Sequence, residues 1–120
     1  MNKILQTLFV FLLLFLNAYG GGDCNQLPKQ YSSYEEAIQK IKTTHFKVEE
    51  NINTSKSSWV RGASYYSCDG ISGFFILKTD NKEYIHSMVP IGVWNEFKNA
   101  GSFGSYYNQN IKHKYFFKPN

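Results

Sequence analysis

The chain has 120 residues, of which 13 are Lys or Arg and 9 are Asp or Glu, giving a formal net charge of +4 at neutral pH. This length favours a single domain. The charge is mildly basic and lacks the dense positive charge of an obligate nucleic-acid binder. Aromatic residues are abundant at 18%, and a small domain rich in Tyr and Phe can bury much apolar surface per residue.

The N-terminus predicts a secretory signal peptide over residues 1–20. Lys3 supplies a positive start, Leu5 to Leu16 is almost wholly apolar, and the small residues Ala18 and Gly20 suit a cleavage site. The apolar run is shorter than the roughly 20 residues that a membrane-spanning helix needs. Cleavage after Gly20 predicts a secreted or periplasmic protein with no membrane span; a retained N-terminal anchor is the alternative.

Two cysteines, Cys24 and Cys68, follow the signal peptide. An exported chain meets an oxidising compartment, so this pair predicts a disulfide rather than a metal or redox site. Lipidation of Cys24 is the alternative, although Asp23 and Gly21 depart from the small and aliphatic residues that this processing requires.

A polar lead from Gly21 to Gln30 precedes a predicted helix over Tyr34 to Thr43. Ser33 and Glu36 form a capping box at its start. The apolar positions recur with helical spacing, which predicts one face that packs on a sheet. These positions are Tyr34, Ala37, Ile38 and Ile41.

Three strands joined by tight turns are predicted next, at Ser57 to Ser67, Gly73 to Thr79 and Glu83 to Met88. The turn residues between them, Asp-Gly at the first turn and Asp-Asn at the second, favour an antiparallel meander. His45 to Asn53 is ambiguous and fits either a short strand or an irregular cover.

Two helices and an aromatic tail complete the chain. Pro90 suits the first turn of a helix whose buried stripe contains Val93, Trp94, Phe97 and Ala100. Ser102 caps a second short helix with Tyr107 and Ile111 on one side, and Tyr115 to Phe117 forms a final strand or packed tail. The predicted fold class is α+β, a small antiparallel meander with helices packed on one face. The predicted organisation is a signal peptide at 1–20, an N-terminal segment with one helix at 21–57 and a domain at 58–118.

An ordered series of residues from Ser58 to about Phe117 resembles the KTSC domain, a family that we associate with the C-terminus of lysyl-tRNA synthetase. Its central feature is a Tyr-x-Tyr followed by Val-Pro; here His86 replaces the second tyrosine. Phe103 stands where a basic residue is common. The matching residues are Ser58, Val60, Tyr65, Phe74 to Leu77, Tyr84, Val89, Pro90, Ser102, Gly104, Tyr107, Asn108, Ile111, Lys112 and Tyr115.

The candidate binding residues lie within this series. His86 is interpreted either as a titrating or ligand-facing group or as a half-buried residue in a tyrosine-sized place. Asn108 either bonds a neighbouring turn or forms a polar contact at a binding surface. The patterns of His, Cys and carboxylate residues predict no catalytic group, metal site or cofactor. The full set of candidate binding residues is Tyr84, His86, Tyr107, Asn108, Lys112 and Tyr115.

Lysines and aromatic residues are interleaved near the C-terminus, which predicts either a basic-aromatic patch or a solvated face over an aromatic core. The leading hypothesis is an exported, non-enzymatic binding or accessory module for an anionic surface, glycan or protein. An RNA- or nucleic-acid-binding domain, which the family resemblance also implies, is the alternative. A small hydrolase or toxin-like factor is the weaker alternative. The patch residues are Lys98, Lys112, Lys114 and Lys118 with Tyr106, Tyr107, Tyr115 and Phe116.

Overall fold

A computed structural model of the chain describes residues 22–119. The signal peptide predicted at Met1 to Gly20 lies outside these residues and stays a prediction. The described helices are α1 (Tyr34–Thr43), α2 (Ile91–Lys98) and α3 (Phe103–Asn110), preceded by a 3₁₀ turn at Cys24–Gln26. The strands are β1 (Val48–Ile52), β2 (Gly62–Ser67), β3 (Ser72–Lys78) and β4 (Glu83–Pro90).

The strands form one sheet in the order β1-β2-β3-β4, and each neighbouring pair is antiparallel. The predicted antiparallel meander is therefore confirmed. The ambiguous segment from His45 to Asn53 contains strand β1. The predicted first strand begins too early, because β2 starts at Gly62. The hydroxyl of Ser57 accepts hydrogen bonds from the backbone N–H groups of Trp59 and Val60, so these residues form a turn.

Helices cover both faces of the sheet. One face carries Tyr65 and Phe75 and packs against α2 and α3. The opposite face carries Tyr66 and Ile76 and packs against the Ala37 side of α1. The α+β class is confirmed, but the prediction of helices on one face is wrong. Neighbouring residues on a strand point to opposite sides, so the adjacent buried residues Tyr65 and Tyr66 require a cover on each side.

Helix α1 begins and ends at the predicted residues. The hydroxyl of Ser33 accepts a hydrogen bond from the backbone N–H of Glu36 at 3.1 Å, which caps the first turn. The Glu36 carboxylate reaches back to the N–H of Ser32 at 2.8 Å instead of to Ser33. Ala37 and Ile41 are fully buried against the sheet. The local capping signal therefore positions the helix in the correct phase for packing.

Helix α2 begins one residue later than predicted, because Pro90 ends β4 and acts as the N-cap. Trp94 and Phe97 are fully buried, as the predicted stripe requires. Their ring centroids lie 5.6 Å and 4.9 Å from that of Phe75, which confirms the expected contact with the second predicted strand. Lys98 does not project freely outward, because its ammonium group lies 2.8 Å from the Glu50 carboxylate on β1.

The predicted disulfide joins Cys24 to Cys68, with the two Cα atoms 5.8 Å apart. It connects the segment before α1 to the turn between β2 and β3. Because the Cys24 sulfur is in the disulfide, it is not free for lipidation. The bond is consistent with an oxidising, exported location. In the range 22–119, no helix is long and apolar enough to cross a membrane.

Candidate functional site

The candidate binding residues His86, Tyr107 and Tyr115 meet where β4, α3 and the end of the chain come together. His86 lies opposite Phe75 in the β3–β4 register, so its side chain faces the same core as α2 and α3. Tyr84, two residues earlier, shares this face. The site therefore depends on a helix that is distant from β4 in sequence.

Both ring nitrogens of His86 have internal partners. Nδ1 lies 2.7 Å from the backbone carbonyl oxygen of Tyr115, and Nε2 lies 2.7 Å from the hydroxyl oxygen of Tyr107. A carbonyl oxygen only accepts, so we assign the imidazole proton to Nδ1. Nε2 of the neutral ring then accepts the hydroxyl hydrogen of Tyr107. These two contacts of His86 therefore join β4 to α3 and to the C-terminal tail.

Burial keeps the two partners uncharged. His86 is 7% exposed and Tyr107 is 3% exposed. Desolvation lowers the pKa of His86, and the hydrogen bond to the Tyr115 carbonyl only partly opposes it. Desolvation also raises the pKa of Tyr107, with smaller contributions from Tyr34 and Tyr84. A neutral imidazole and a neutral phenol suit packing better than proton transfer to a bound molecule, which favours the half-buried interpretation of His86.

Trp59 packs on Tyr107 of the His86–Tyr107 pair, and Gly104 lies against Trp59. The sequence alone did not identify Trp59 as a site residue. The Trp59 ring meets Tyr107 edge to face with centroids 6.1 Å apart, and 37% of Trp59 remains exposed. A Cβ atom added at Gly104 would lie 2.2 Å from Nε1 of Trp59. The Ser-x-Gly pattern at Ser102 to Gly104 was the sequence signal that could have indicated this contact, because a glycine early in a helix permits close approach of a neighbour.

Asn108 and Lys112 lie four residues apart on the exposed surface of α3 and its C-terminal end. Within residues 22–119, neither side chain has a hydrogen bond or an ion pair. The side-chain bond from Asn108 to a neighbouring turn is therefore not found. These residues contribute to a surface next to the buried His86 site and not to its hydrogen bonds.

The C-terminal tail, residues 115–119, crosses the edge of the sheet beside β4. Tyr115 packs on the core shared with α2 and α3, whereas Phe117 packs on the core shared with α1. Between them, the carbonyl oxygen of Phe116 accepts a hydrogen bond from the Ser87 hydroxyl at 2.8 Å. Near its end, the carbonyl oxygen of Pro119 accepts from the Tyr31 N–H at 2.6 Å. The predicted final segment is therefore a packed tail.

A bulge in β4 lies beside this crossing. The β3–β4 register shifts between Gly73 and Phe75, and Met88 adopts a positive φ of 57°. Positive φ is uncommon for a residue with a bulky side chain. Met88 is 72% exposed and the side chain of Phe116 is 66% exposed. Met88 on β4 and Phe116 on the tail thus present apolar side chains that the core does not use.

In the part of the chain that the structure describes, no group of three or more His, Cys, Asp or Glu side chains could hold a metal ion. The fold and this site define a small disulfide-bonded α+β domain whose last strand is tied by hydrogen bonds to a C-terminal tail. Its His86–Tyr107 pair is internal, and its Asn108 and Lys112 side chains face solvent.

The chain contains a KTSC domain: residues 77–115 match the family model with that description. The predicted family is confirmed, and the match includes every candidate binding residue. It is shorter than the resemblance drawn from Ser58 onward. Describing the domain as the lysyl-tRNA synthetase C-terminal type is wrong, because the match supports only a KTSC domain. No curated protein matches the chain.

Proposed function

We propose that this protein is an exported, non-enzymatic binding module that uses its C-terminal end to bind an anionic cell-surface glycan. The C-terminal basic surface consists of Lys112, His113, Lys114, Phe116 and Lys118, all of which are exposed. The observation that carries the proposal is the concentration of unpaired positive charge on this surface.

The lysines of this surface have no salt-bridge partner among the residues that the structure describes, whereas Lys40, Lys42 and Lys98 each have one. The sequence contains no Asp or Glu after Glu96. Unpaired lysines close together attract a polyanion and release its counterions on binding.

The surface is also held on a fixed support. His86 bonds the carbonyl of Tyr115, and Ser87 bonds the carbonyl of Phe116, so the backbone between the lysines is attached to β4. A surface that is already ordered loses less conformational entropy on binding. The exposed Phe116 ring adds an apolar platform that a sugar face or a base can contact.

Export and the absence of an enzymatic role are parts of the same proposal. The disulfide supports export, because such bonds persist in oxidising compartments. The internal bonds of His86 and Tyr107 support a role in binding over a role in catalysis, since both groups are used by the fold. Intact-mass measurement of the native protein tests export; a mature form that still begins at Met1 would contradict it.

The binding experiment compares two double variants that lose the same charge. Lys112→Ala with Lys114→Ala removes part of the basic surface, whereas Lys29→Ala with Lys47→Ala removes two exposed lysines elsewhere. The first variant is expected to lose affinity for heparin by about tenfold or more, since a lysine near an anionic surface contributes roughly 1 kcal/mol. The control should remain within about twofold of the parent. Equal losses would mean that only net charge matters and would overturn the proposed surface.

Single-stranded RNA is the second probe in the same experiment. Binding of either polyanion must weaken as salt rises. Tighter binding of RNA than of heparin at equal salt, together with selective loss of RNA binding in Phe116→Ala, would establish the nucleic-acid alternative and reject the glycan. The Phe116 ring is the residue that separates the two, because bases gain more than sugars from stacking on an aromatic side chain.

A further inference from the structure

The Trp59 indole lies against the start of α3 with one side open to solvent. Its inner side rests on Gly104 and meets the Tyr107 ring, whereas 37% of the residue remains exposed. Tryptophan offers a large, rigid contact area, and it is among the residues that contribute most to binding when a partner covers it. The open side of Trp59 is therefore available to a ligand.

The turn that carries Trp59 is already ordered. The Ser57 hydroxyl accepts hydrogen bonds from the backbone N–H groups of Trp59 and Val60 at 3.3 Å and 3.0 Å. Val60 is buried in the core, and its carbonyl oxygen accepts from the Thr54 hydroxyl at 3.0 Å. Because the indole is held in place before binding, little conformational entropy is lost when a ligand covers it.

The lysines of the protein leave the Trp59 ring uncovered. The ammonium group of Lys56 lies 4.2 Å from the centroid of the Phe103 ring, and that of Lys82 lies 5.1 Å from the centroid of the Tyr84 ring. In the part of the chain that the structure describes, no ammonium group lies over Trp59 in this way. A ligand can thus contact this ring without displacing a cation.

Polar side chains continue from Trp59 along α3. Gly104, Asn108 and Lys112 follow each other at intervals of four residues, so they form one row with steps of about 6 Å along the helix axis. The backbone N–H of Lys112 still bonds the Tyr107 carbonyl oxygen at 3.0 Å, which keeps Lys112 at the last turn of the helix. The row presents, in order, an aromatic ring, a carboxamide and an ammonium group.

Each member of this row suits a different part of an acidic sugar chain. The indole matches the apolar C–H face of a pyranose ring. The Asn108 carboxamide both donates and accepts hydrogen bonds, as neighbouring sugar hydroxyls do. The Lys112 ammonium group attracts a carboxylate or a sulfate. Because the sequence contains no Asp or Glu after Glu96, α3 carries no carboxylate that would repel the ligand.

We propose that Trp59, Asn108 and Lys112 bind successive units of an acidic glycan, with one pyranose ring stacked on Trp59. This inference rests on the proposed function, because Lys112 belongs to the C-terminal basic surface, and it extends that surface along α3. The positive charge attracts any polyanion, whereas the ring contact requires a sugar with an accessible C–H face. The ligand class is thereby narrowed to glycans that carry such a face beside an acidic group.

Acrylamide quenching of the intrinsic fluorescence tests the ring contact in the unmodified, disulfide-bonded protein. The chain has two tryptophans, and Trp94 is fully buried, so the quenchable emission arises from Trp59. A saturating heparin hexasaccharide is expected to reduce the quenching by about twofold or more, because a stacked sugar excludes solvent from the ring. Trp59→Phe is the control that identifies the signal and should remove the quenchable emission. Unchanged quenching in the presence of bound hexasaccharide would overturn the proposal.

Salt dependence separates the ring contact from the charge contact. Trp59→Ala is expected to weaken hexasaccharide binding by about fivefold or more at every salt concentration, because it removes apolar contact area. Lys112→Ala should weaken binding mainly at low salt and make its dependence on salt shallower, because it removes a charge contact. Ile71→Ala, which truncates an exposed apolar side chain on the β2–β3 turn, is the matched control and should leave the affinity within about twofold of the parent.

A second pair of variants makes the test independent of folding. The Asn108 side chain is exposed and has no hydrogen bond within residues 22–119, so Asn108→Ala should leave the fold intact. It is expected to weaken hexasaccharide binding by about threefold or more, because a hydrogen bond to the sugar is lost. Gln109→Ala changes the next exposed position of α3 and should bind as the parent does. Equal affinities for these two variants would contradict the proposed row.

The outcomes distinguish this inference from the function on which it rests. Hexasaccharide binding that depends on Lys112 and Lys114 but not on Trp59 would overturn the inference alone and leave the basic surface as the binding site. Absence of hexasaccharide binding would overturn both. Protection of Trp59 from quenching by single-stranded RNA, without protection by the hexasaccharide, would reject the glycan in favour of nucleic acid.

Discussion

His86 Nε2 and the hydroxyl oxygen of Tyr107 lie 2.7 Å apart in a buried environment, and this contact joins β4 to α3. The opposite ring nitrogen binds the Tyr115 carbonyl, so one imidazole connects a strand, a helix and the C-terminal tail. Because desolvation keeps the ring neutral, protonation of His86 must oppose the folded state. This sign gives a prediction about pH.

We expect the protein to become less stable as the pH is lowered below neutrality, because His86 resists protonation in the folded state. Its folded-state pKa is lowered from the ordinary value of 6.5, so the unfolded chain binds a proton more readily than the folded one. The contribution is complete above about pH 6.5 and is lost as the pH falls from there through the lowered folded-state pKa. Urea midpoints measured between neutral pH and about pH 5 check this dependence, a window above most carboxylate titrations.

The matched variant is His86→Gln, which removes the titrating group and keeps a polar side chain. Its midpoint should change less with pH over the same window than the parent midpoint. His45 and His113 remain in both proteins, so the difference between the two profiles isolates His86. Parallel profiles would show that His86 is not the titrating group.

Gly104→Ala is expected to destabilise the protein by about 1–3 kcal/mol, because its methyl group would overlap the Trp59 ring. Gly92→Ala is the matched control. Each glycine is the second residue of a helix, and an added Cβ at Gly92 meets nothing within 4 Å. That control should be neutral or gain up to about 1 kcal/mol from helix propensity. Denaturant unfolding measures both changes.

The double-variant cycle identifies the cause of the Gly104 effect. In a Trp59→Ala background, Gly104→Ala should no longer destabilise, since the ring that it displaces is absent. A cost that persists in that background would place the strain in the α3 backbone instead. The cycle therefore separates a side-chain contact from a backbone effect.

Trp94→Ala should destabilise the protein by roughly 3–5 kcal/mol, because Trp94 is fully buried and stacks on Tyr65 with centroids 5.4 Å apart. Lys98→Ala should cost about 1 kcal/mol or less, since its pair with Glu50 is partly exposed to solvent. We set this upper limit on the loss of stability higher than for a lysine that only faces solvent. The reason is that the Lys98 ammonium group also lies 5.7 Å from the centroid of the Trp94 ring. Urea midpoints compare the variants, and a parental midpoint for Trp94→Ala would contradict the packing of α2.

Replacing both cysteines by Ala is expected to lower the free energy of unfolding by about 4 kcal/mol, because the bond closes a loop with a sequence separation of 44. Chemical reduction of the parent should give a similar loss. Each measurement is compared with the oxidised parent by denaturant unfolding. An unchanged midpoint after complete reduction would show that this loop is already ordered in the unfolded ensemble.

Much of the local structure could be predicted from the sequence. Ser33 and the apolar spacing after it located α1, because a side-chain cap and helical periodicity act over a few residues. Only two cysteines are present, so an oxidised pair had one intramolecular arrangement. The tight turns predicted the meander, and the ordered pattern around Tyr84 and Val89 identified the KTSC domain.

The faces of the sheet and the contacts between distant segments were decided only by the tertiary structure. Adjacent Tyr65 and Tyr66 are both buried because helices cover opposite faces, and alternation along β2 alone does not assign a cover to either side. The Trp59 contact with Gly104 and the burial of Glu83 Oε2 without a hydrogen-bond partner among residues 22–119 likewise arise from side chains that chain folding brings together. Local sequence patterns determine periodicity and caps, whereas burial and hydrogen-bond partners depend on which distant surfaces finally pack against each other.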